Sequence, residues 1–494
     1  MTRSDRPNIL LFLADQHRWD CLGTAGHPNV RTPNIDRLAA DGVRYDQAFC
    51  PLPVCTPSRY SMLTGLHVRQ HLGWTNHCTV PPQIPTFPRI LREAGYRTDA
   101  VGKMHFTPTY LDVGFQRMVL AEQDGPGRFD DDYHRYLRDR GLVDRIDLID
   151  QRSEYRQGAS RAYWDCFGAA ESDLPEEHHS TTWTAERAGE IVERWDGGGN
   201  FLMVGFVKPH HPFDPPAPWS RMYRPETLSM PPGWTEHSLP GDLEFHEGYF
   251  PNASLTEPSL RGAMAMYYAT ISQIDYHVGR IVDRLVAKGL YDNTMILYTS
   301  DHGEYMGFHH MILKGGRMYD PLVRVPLIVK YPGAAGSATA SDALVSNLDI
   351  APTVLARAGC DAAETMAGLD LVARPDGREL IFAEDWGHRQ YMVRSRTRKL
   401  LWCPEARHSR FFDIEADPLE MRDLSAEPDR RDEIAHLTDR LLRWSLDEAV
   451  SPTYLDENAP TLDAPNVPSP ATGERQQMID YLRHQMALPH NDPF

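Results

Sequence analysis

The chain has 494 residues, of which 24% are charged and 41% hydrophobic, and its formal net charge at pH 7 is −18. These values are ordinary for globular proteins and exclude wholesale disorder, collagen and long coiled coils. An acidic chain without a long basic run is a poor partner for nucleic acid, so we expect none. An anionic substrate would have to be held by a local cluster of positive side chains.

The seven cysteines are scattered and odd in number, which is not a disulfide framework and is typical of a reducing compartment. The apolar stretch at residues 9–14 is too short for a signal-peptide core, and no run of 18 apolar residues occurs. We therefore expect a soluble cytoplasmic protein that does not insert into a membrane.

Apolar strand-like runs alternate with helical patterns along the chain, which predicts an α/β fold with a largely parallel sheet. In chain order, the pattern predicts a strand at 8–14, helices at 33–40 and 86–94, strands at 99–102 and 201–207, a long amphipathic helix at 260–286, and a strand at 294–299. Asp15 and Asp301 follow two of these strands. Because ligands gather at the carboxyl ends of strands in open α/β sheets, both aspartates belong to one candidate site.

Three regions differ in composition, and we predict domain boundaries from them. We expect residues 1–370 to form one α/β domain that contains the candidate site, in which the polar, weakly periodic stretch 108–183 is an insertion. Residues 371–450 predict an α+β subdomain with short antiparallel strands at 380–383, 391–394 and 399–403, then a charged helix near 429–444. Residues 451–494 predict a proline-rich arm with a short helix at 474–486, which reaches another subunit of a homodimer or homotetramer. The alternative is a tail packed on its own domain.

A short motif stands out, Cys55-Thr56-Pro57-Ser58-Arg59 followed by Leu63-Thr64-Gly65. It resembles the motif of the type I sulfatases, in which the cysteine is oxidised after synthesis to formylglycine (3-oxoalanine). The likeness is to the arylsulfatase, choline-sulfatase and phosphonate monoester hydrolase types within the alkaline phosphatase superfamily. It covers residues 7–425 and includes, in the family's order, Gly102-Lys103-Met104-His105, Pro209-His210-His211-Pro212-Phe213, Ser300-Asp301-His302-Gly303-Glu304, the stretch from Lys314 through Met318-Tyr319 to Val325-Pro326-Leu327, and Phe411-Phe412-Asp413-Ile414 with Asp417-Pro418. The resemblance implies an alkaline-phosphatase-like sheet flanked by helices, with a smaller C-terminal antiparallel sheet.

The resemblance also implies the reaction, which is the hydrolysis of sulfate monoesters to inorganic sulfate and an alcohol or phenol. A formylglycine hydrate derived from Cys55 would attack sulfur, and its second hydroxyl would then expel the sulfate and regenerate the aldehyde. A formylglycine-generating enzyme would be the partner during maturation. One divalent metal ion would acidify the attacking hydroxyl, and its ligands by resemblance are Asp15, Gln16, Cys55, Asp301 and His302. An oxygen-rich set with one imidazole permits Ca²⁺, Mg²⁺ or Mn²⁺, and the histidine favours Mn²⁺ slightly.

The remaining site residues are implied in the same way. Arg59 would support the formylglycine, while Lys103 and Lys314 would hold sulfate oxygens. His105 would hold or deprotonate the hydrate, and His210 would protonate the leaving oxygen. Asn76 stands where related enzymes place an amide that contacts the sulfate. We expect His211 to be structural, and His309 and His310 to be loop residues or neighbours of the ligands rather than ligands themselves. We do not predict a second metal at His67, His71 and His77.

Two alternatives stay open at this stage. The first is a phosphonate monoester or phosphodiester hydrolase with the same apparatus, because Asp15-Gln16 and Asp301-His302 resemble that branch as well as the choline-sulfatases. Ser58 favours a sulfatase. The second is a non-catalytic binding module on the same fold, against which the complete set of nucleophile, ligands, bases and lysines argues. The stretches 108–183 and 214–258 would select a leaving group that the sequence does not identify.

Overall fold

The chain folds around a central sheet of eight strands, with a second sheet of four strands near the C-terminus. The structure is a computed structural model that describes residues 6–125, 127–243, 250–334, 337–385, 387, 389–449, 451, 474–488 and 492–493. The strands of the central sheet are β1 (Asn8–Asp15), β2 (Val43–Phe49), β3 (Arg97–Gly102), β4 (Arg117–Leu120), β5 (Asn200–Pro209), β6 (Thr294–Ser300), β7 (Leu327–Lys330) and β8 (Thr339–Ser346). Those of the second sheet are β9 (Ile381–Asp385), β10 (Gln390–Arg394), β11 (Arg398–Trp402) and β12 (Arg410–Asp413).

The helices surround the central sheet or lie beside the second one. They are α1 (Pro33–Ala40), α2 (Cys55–Thr64), α3 (Val68–His71), α4 (Phe87–Glu93), α5 (Gly127–Asp130), α6 (Asp132–Arg138), α7 (Arg145–Gln151), α8 (Ser153–Arg156), α9 (Arg161–Asp165), α10 (Ser180–Glu193), α11 (Glu257–Ala287), α12 (Asp320–Val323), α13 (Ile350–Ala358), α14 (Arg431–Arg443) and α15 (Arg475–Ala487). Among the described helices, none is both long and apolar enough to cross a bilayer.

The central sheet is mixed and mostly parallel, which confirms the predicted fold class. Its strand order is β4-β3-β5-β1-β6-β7-β2-β8, and β7 runs antiparallel to both of its neighbours. Strand β1 lies in the middle, pairs in parallel with β5 and β6, and is buried at every residue. A continuous apolar run is what a strand covered on both faces requires.

The two faces of the sheet carry separate hydrophobic cores. On one face, Leu10 and Phe12 of β1 pack in a cluster with residues of α10 and α11, including Val192 and Val278. On the other face, alternate β1 residues such as Leu11 join a cluster with residues of α2, α4 and α13. Both faces of β1 are thereby packed against helices, which holds the carboxyl end of the strand in place.

The predicted elements correspond to observed ones, with ends that differ by a few residues, whereas several elements were not predicted. The additional elements are strands β2, β4, β7, β8 and β12 and helices α2, α3, α5–α10, α12 and α13. Strand β4 lies inside the stretch 108–183 and forms one edge of the central sheet, paired in parallel with β3. Part of the stretch interpreted as an insertion is therefore part of the scaffold. Its alternation is too short, at four residues, to produce a clear pattern.

The helix α15 packs against its own chain. Its Met478 and Leu482 are buried in a cluster with Val143 and Leu148 of the 108–183 stretch, and Tyr481 donates a hydrogen bond to the carbonyl oxygen of Leu142 (2.7 Å). This is the alternative arrangement considered above for the helix. The proline-rich part of the arm, residues 452–473, lies outside the described residues, and the oligomeric state stays a prediction.

Candidate active site

Strands β1 and β6 end side by side and deliver Asp15 and Asp301. Ala14 is in register with Ser300, so the residue after each faces the same edge of the sheet. Beyond β1 the chain turns at Gln16, whose φ is +65°, and its backbone N–H donates to Asp301 Oδ1 (3.1 Å). The carboxyl ends of the two parallel strands thus meet, as the sequence predicted from their positions.

Helix α2 brings Cys55 and Arg59 to this edge. Every residue of the helix is buried, and the two side chains lie one turn apart on the same face. The guanidinium of Arg59 bridges both aspartates, with Nη2 3.0 Å from Asp15 Oδ2 and Nε 3.0 Å from Asp301 Oδ2. Its Nη1 donates to the carbonyl oxygen of Lys103 (2.5 Å). Only the planar fork of arginine can hold three acceptors at once in fixed directions.

Four potential metal ligands converge in front of Arg59. The nearest side-chain donors of Asp15, Cys55, Asp301 and His302 all lie within 4.8 Å of one another. Cys55 Sγ is 3.3 Å from His302 Nε2 and 3.7 Å from Asp15 Oδ1. Gln16, whose backbone N–H donates to Asp301, has a buried Oε1 with no hydrogen-bond partner among the described residues. Two carboxylates, one imidazole and an unused amide oxygen fit a divalent cation that prefers oxygen ligands.

Two lysines place positive charge around Cys55. Lys314 Nζ lies 3.0 Å from Cys55 Sγ and 2.9 Å from His210 Nε2. Lys103 Nζ lies 2.8 Å from Asp15 Oδ2 on the other side. The position of Lys103 is determined by the end of β3, which it directly follows. There Gly102 has a φ of +86°, and a Cβ at this residue would lie 2.0 Å from the carbonyl oxygen of Gly205. Only glycine allows β3 and β5 to approach this closely.

The remaining predicted residues complete the ring around Cys55. The His105 backbone carbonyl accepts a hydrogen bond from Thr56 Oγ1 (2.7 Å), and Asn76 Oδ1 accepts one from the Thr56 backbone N–H (3.1 Å). His210 Nδ1 is 2.7 Å from the carbonyl oxygen of His211, so Nδ1 carries the proton and Nε2 faces the site. The structure therefore brings together every predicted site residue: Asp15, Gln16, Cys55, Arg59, Asn76, Lys103, His105, His210, Asp301, His302 and Lys314.

The electrostatics of this cluster favour an anionic nucleophile at position 55. Burial alone would raise the pKa of the Cys55 thiol, but Lys314 and Lys103 hold it well below its ordinary value. A neighbouring His302 and a hydrogen bond with His105 act in the same direction. Fixed positive charges that stabilise a thiolate here would equally stabilise an oxyanion at the same place.

The charged neighbours also set the titration of the acids and bases. Burial and the proximity of Asp15 raise the pKa of Asp301. Burial, and next the charges of Lys314 and Lys103, lower the pKa of His210 well below its ordinary value. His210 is therefore neutral near pH 7.

Sequence reasoning missed two acidic residues that form hydrogen bonds with residues of the site or their neighbours. Glu122 accepts hydrogen bonds from the backbone N–H groups of Met104 and His105 (both 3.0 Å). Asp150 Oδ2 lies 2.5 Å from His211 Nδ1. Both acids belong to the polar stretch 108–183, where no spacing or motif distinguishes them from surface residues. The polarity of the stretch was the one signal available, because polar residues that contact an active site add to the polarity of the segment that contains them.

Three further histidines outside the candidate site make local hydrogen bonds. His71 Nε2 lies 2.8 Å from Ser61 Oγ, and His310 Nδ1 lies 2.9 Å from the carbonyl oxygen of Thr235. His309 Nε2 lies 2.9 Å from the carbonyl oxygen of Leu419. Each of these rings is used in a local hydrogen bond.

Comparisons with known proteins identify the family. A family model for sulfatases matches residues 7–360, and a model for the C-terminal part of N-sulphoglucosamine sulphohydrolase matches residues 309–447. An arylsulfatase of Clostridium perfringens is 29% identical over 478 residues, which cover 89% of this chain and 94% of the relative. The uncharacterised sulfatase YidJ of Escherichia coli (strain K12) is 30% identical over 386 residues, covering 76% of this chain and 72% of the relative.

Among solved structures, the phosphonate monoester hydrolase of Agrobacterium radiobacter matches with a TM-score of 0.73 at 24% identity, covering 93% of this chain and 100% of that one. The chain belongs to the sulfatase family, within the alkaline phosphatase superfamily, and is an enzyme of the sulfuric ester hydrolase class. The family and the fold inferred from the motifs are thereby confirmed.

Proposed function

We propose that the protein hydrolyses sulfate monoesters by means of a formylglycine hydrate formed from Cys55, with one divalent metal ion as cofactor. The observation that carries this proposal is the position of Cys55 Sγ, 3.0 Å from Lys314 Nζ and 3.3 Å from His302 Nε2. A nucleophile at this position touches the metal ligands on one side and an anion-binding lysine on the other. A structural cysteine needs neither neighbour.

Some residues around position 55 orient the carboxylates, and others would bind the metal ion. Arg59 fixes the carboxylates of Asp15 and Asp301, so that both present an oxygen toward Cys55. Asp15, Gln16, Asp301 and His302 would hold the metal ion together with residue 55. When bound, the ion acidifies the attacking hydroxyl and neutralises charge on the sulfate oxygens. We favour Mn²⁺ or Ca²⁺, with Mg²⁺ as the alternative, because oxygen donors predominate.

Substrate binding and proton transfer depend on the lysines and His210. A sulfate group placed between Lys103 and Lys314 would contact two ammonium groups. Asn76 lies nearby, at the N-terminal end of helix α2. The negative charge of the sulfate would also offset the two lysine charges that lower the pKa of His210. His210 can then carry a proton at Nε2 and give it to the departing oxygen, while His105 holds the hydrate.

The test of the nucleophile is the mass of the peptide that contains Cys55, from protein made with a formylglycine-generating enzyme. We expect a loss of about 18 Da relative to the unmodified cysteine, since sulfur is replaced by oxygen and two hydrogens are lost. Cys55→Ser should lose turnover of p-nitrophenyl sulfate, because a serine sulfate has no elimination route. Full activity in a preparation that contains only the thiol would refute this mechanism.

Gln16 supports a second candidate, the hydrolysis of phosphonate monoesters or phosphodiesters by the same residues. An amide at this position removes one negative charge from the ligand set compared with a second aspartate, and Asp15-Gln16 resembles the phosphonate hydrolase branch. Rates on p-nitrophenyl sulfate and on p-nitrophenyl phenylphosphonate distinguish the two. A sulfatase should have the higher kcat/KM on the sulfate ester.

We also propose a compartment and an assembly. All seven cysteines are free in the structure, which supports a reducing compartment such as the cytoplasm. For the assembly, the five prolines within residues 452–470 of the sequence support an extended arm that reaches another subunit of a homodimer or homotetramer. Light scattering on the full chain and on a chain that ends at residue 450 tests it, since loss of the arm should lower the number of subunits in the particle. An unchanged number of subunits would refute the role of the arm.

A further inference from the structure

Glu304 is buried next to the metal ligands but has no part in the proposed reaction. Its carboxylate uses both oxygens. Oε2 accepts a hydrogen bond from Gln16 Nε2, while Oε1 accepts hydrogen bonds from the backbone N–H groups of Met306 (2.9 Å) and Leu313. The acid therefore connects the chain after β1 to the loop after β6.

The contact with Glu304 decides which end of the Gln16 amide faces the cluster. An oxygen of Glu304 requires the amide nitrogen opposite it, because two oxygens in contact repel each other. Oε1 of Gln16 is then left buried without a hydrogen-bond partner among the described residues, in a residue whose backbone N–H donates to the candidate ligand Asp301. An amide oxygen is a ligand for a hard divalent cation, whereas an amide nitrogen carries two hydrogens and is not.

The loop after β6 explains why Glu304 itself cannot turn away. Met306, His309, His310 and Leu313 all have positive φ, between 42° and 68°. Four non-glycine residues in this conformation are costly, so the loop depends on specific bonds to keep its shape. The two N–H groups that bind Oε1 lie near the two ends of this loop, and they require an oxygen at that place. Oε2 is consequently directed at Gln16.

We propose that Glu304 is a positioning residue for the metal site, which orients Gln16 so that its Oε1 faces the cation. This inference depends on the metal site of the proposed function and adds a residue to it. The ligand set has one carboxylate fewer than a set with a second aspartate, and Glu304 places a carboxyl group in hydrogen-bond contact with the side chain of Gln16. Partners of metal ligands typically change metal affinity by about 10–100-fold when they are replaced.

The first test is the binding of Mn²⁺ to chelator-stripped protein, measured by isothermal titration calorimetry. In Glu304→Gln, the amide oxygen is retained by the two backbone N–H groups, so the amide nitrogen turns toward Gln16. Two NH₂ groups cannot face each other, and Gln16 must rotate its oxygen away from the cation. We expect the Kd for Mn²⁺ to rise about 10–100-fold.

The matched control is Glu420→Gln. Glu420 is also a fully buried glutamate that accepts a backbone N–H, that of Asp320 (2.7 Å), but its ion-pair partner is Lys399. Its Kd for Mn²⁺ should stay within about twofold of the wild type, because it does not contact a ligand. An equal loss in this control would assign the effect to general damage and overturn the proposal.

The decisive test is an exchange of acid and amide. In Gln16→Glu/Glu304→Gln, the amide nitrogen at 304 again meets an oxygen at 16, and the second oxygen at 16 is left for the cation. The double variant should bind Mn²⁺ at least about tenfold more tightly than Glu304→Gln alone. The proposal is overturned if Glu304→Gln binds Mn²⁺ as tightly as the wild type, or if the exchange restores nothing. A wild-type protein that binds no divalent cation would instead refute the metal site itself, and with it the role of Glu304.

Discussion

Replacing Lys314 by methionine tests the charge arrangement around position 55 directly. The side chain keeps its approximate length but loses the ammonium that lies 3.0 Å from Cys55 Sγ, 2.9 Å from His210 Nε2 and 3.3 Å from His302 Nε2. Removing one preorganised donor from a developing oxyanion costs about 3–4 kcal/mol of transition-state stabilisation. We therefore expect kcat/KM for p-nitrophenyl sulfate to fall by about 10²–10³-fold.

The assay must separate chemistry from maturation and folding. Lys314 is 259 residues from Cys55 in the chain and lies outside the Cys55–Arg59 motif, so the mass change at position 55 should be complete in Lys314→Met. Lys330→Met is the matched control, because Lys330 is also buried and donates to the carbonyl oxygen of Tyr291 (2.6 Å) rather than to the site. It should lower the melting temperature with little change in kcat/KM. If Lys314→Met is fully modified and folded and keeps kcat/KM within about threefold of the wild type, the assigned role of Lys314 is wrong.

The remaining predictions concern the metal, the tail and the pH dependence of stability. Exhaustive chelation should abolish turnover and lower the melting temperature, and Mn²⁺ or Ca²⁺ should restore both; activity that survives chelation, with no metal found by mass spectrometry, would contradict the metal site. Leu482→Ala removes a buried side chain from α15 and should weaken the packing of this helix on residues 143–148 by about 2–4 kcal/mol. Backbone amides of residues 475–487 should then exchange hydrogen faster than in the control Leu488→Ala, which changes an exposed side chain. Burial raises the pKa of Asp275 from 3.8 to about 6, so the folded protein binds a proton at Asp275 more tightly than the unfolded chain does. This proton binding stabilises the folded state fully below about pH 4, and the stabilisation is lost as the pH rises through 6. In urea unfolding, Asp275→Asn should therefore narrow the difference in free energy of unfolding between pH 4.5 and pH 7, and an unchanged difference would refute the assignment.

The strands that deliver the site were predictable because their physics is local. Strand β1 is buried on both faces, so its sequence is a continuous apolar run, and the polar residues Asp15 and Gln16 mark its end clearly. The cluster of site residues came from motifs, because Cys55 and Lys314 meet only through the tertiary fold. No periodicity in the chain would place them together.

The missed residues have a common physical reason. Glu122 and Asp150 act through hydrogen bonds to a backbone N–H or an imidazole, and such an acid looks like a surface acid until its burial is known. Helix α2 was missed because it is buried on all sides and so lacks an amphipathic pattern. Strand β7 was missed because it is short and runs against its neighbours, which sequence alternation does not reveal.

The complete burial of helix α2 has a consequence for the order of events during synthesis. In the folded protein, Cys55 is 1% exposed and a second enzyme could not reach it, so the proposed conversion to formylglycine would have to precede folding. The residues that cover it, His302 and Lys314, follow it by 247 and 259 positions. At about 5–20 residues per second, the ribosome needs roughly 13–50 s to supply them. If Cys55 is modified as proposed, the yield of active protein would depend on the relative rates of translation and modification, and slower synthesis at low temperature should raise the modified fraction.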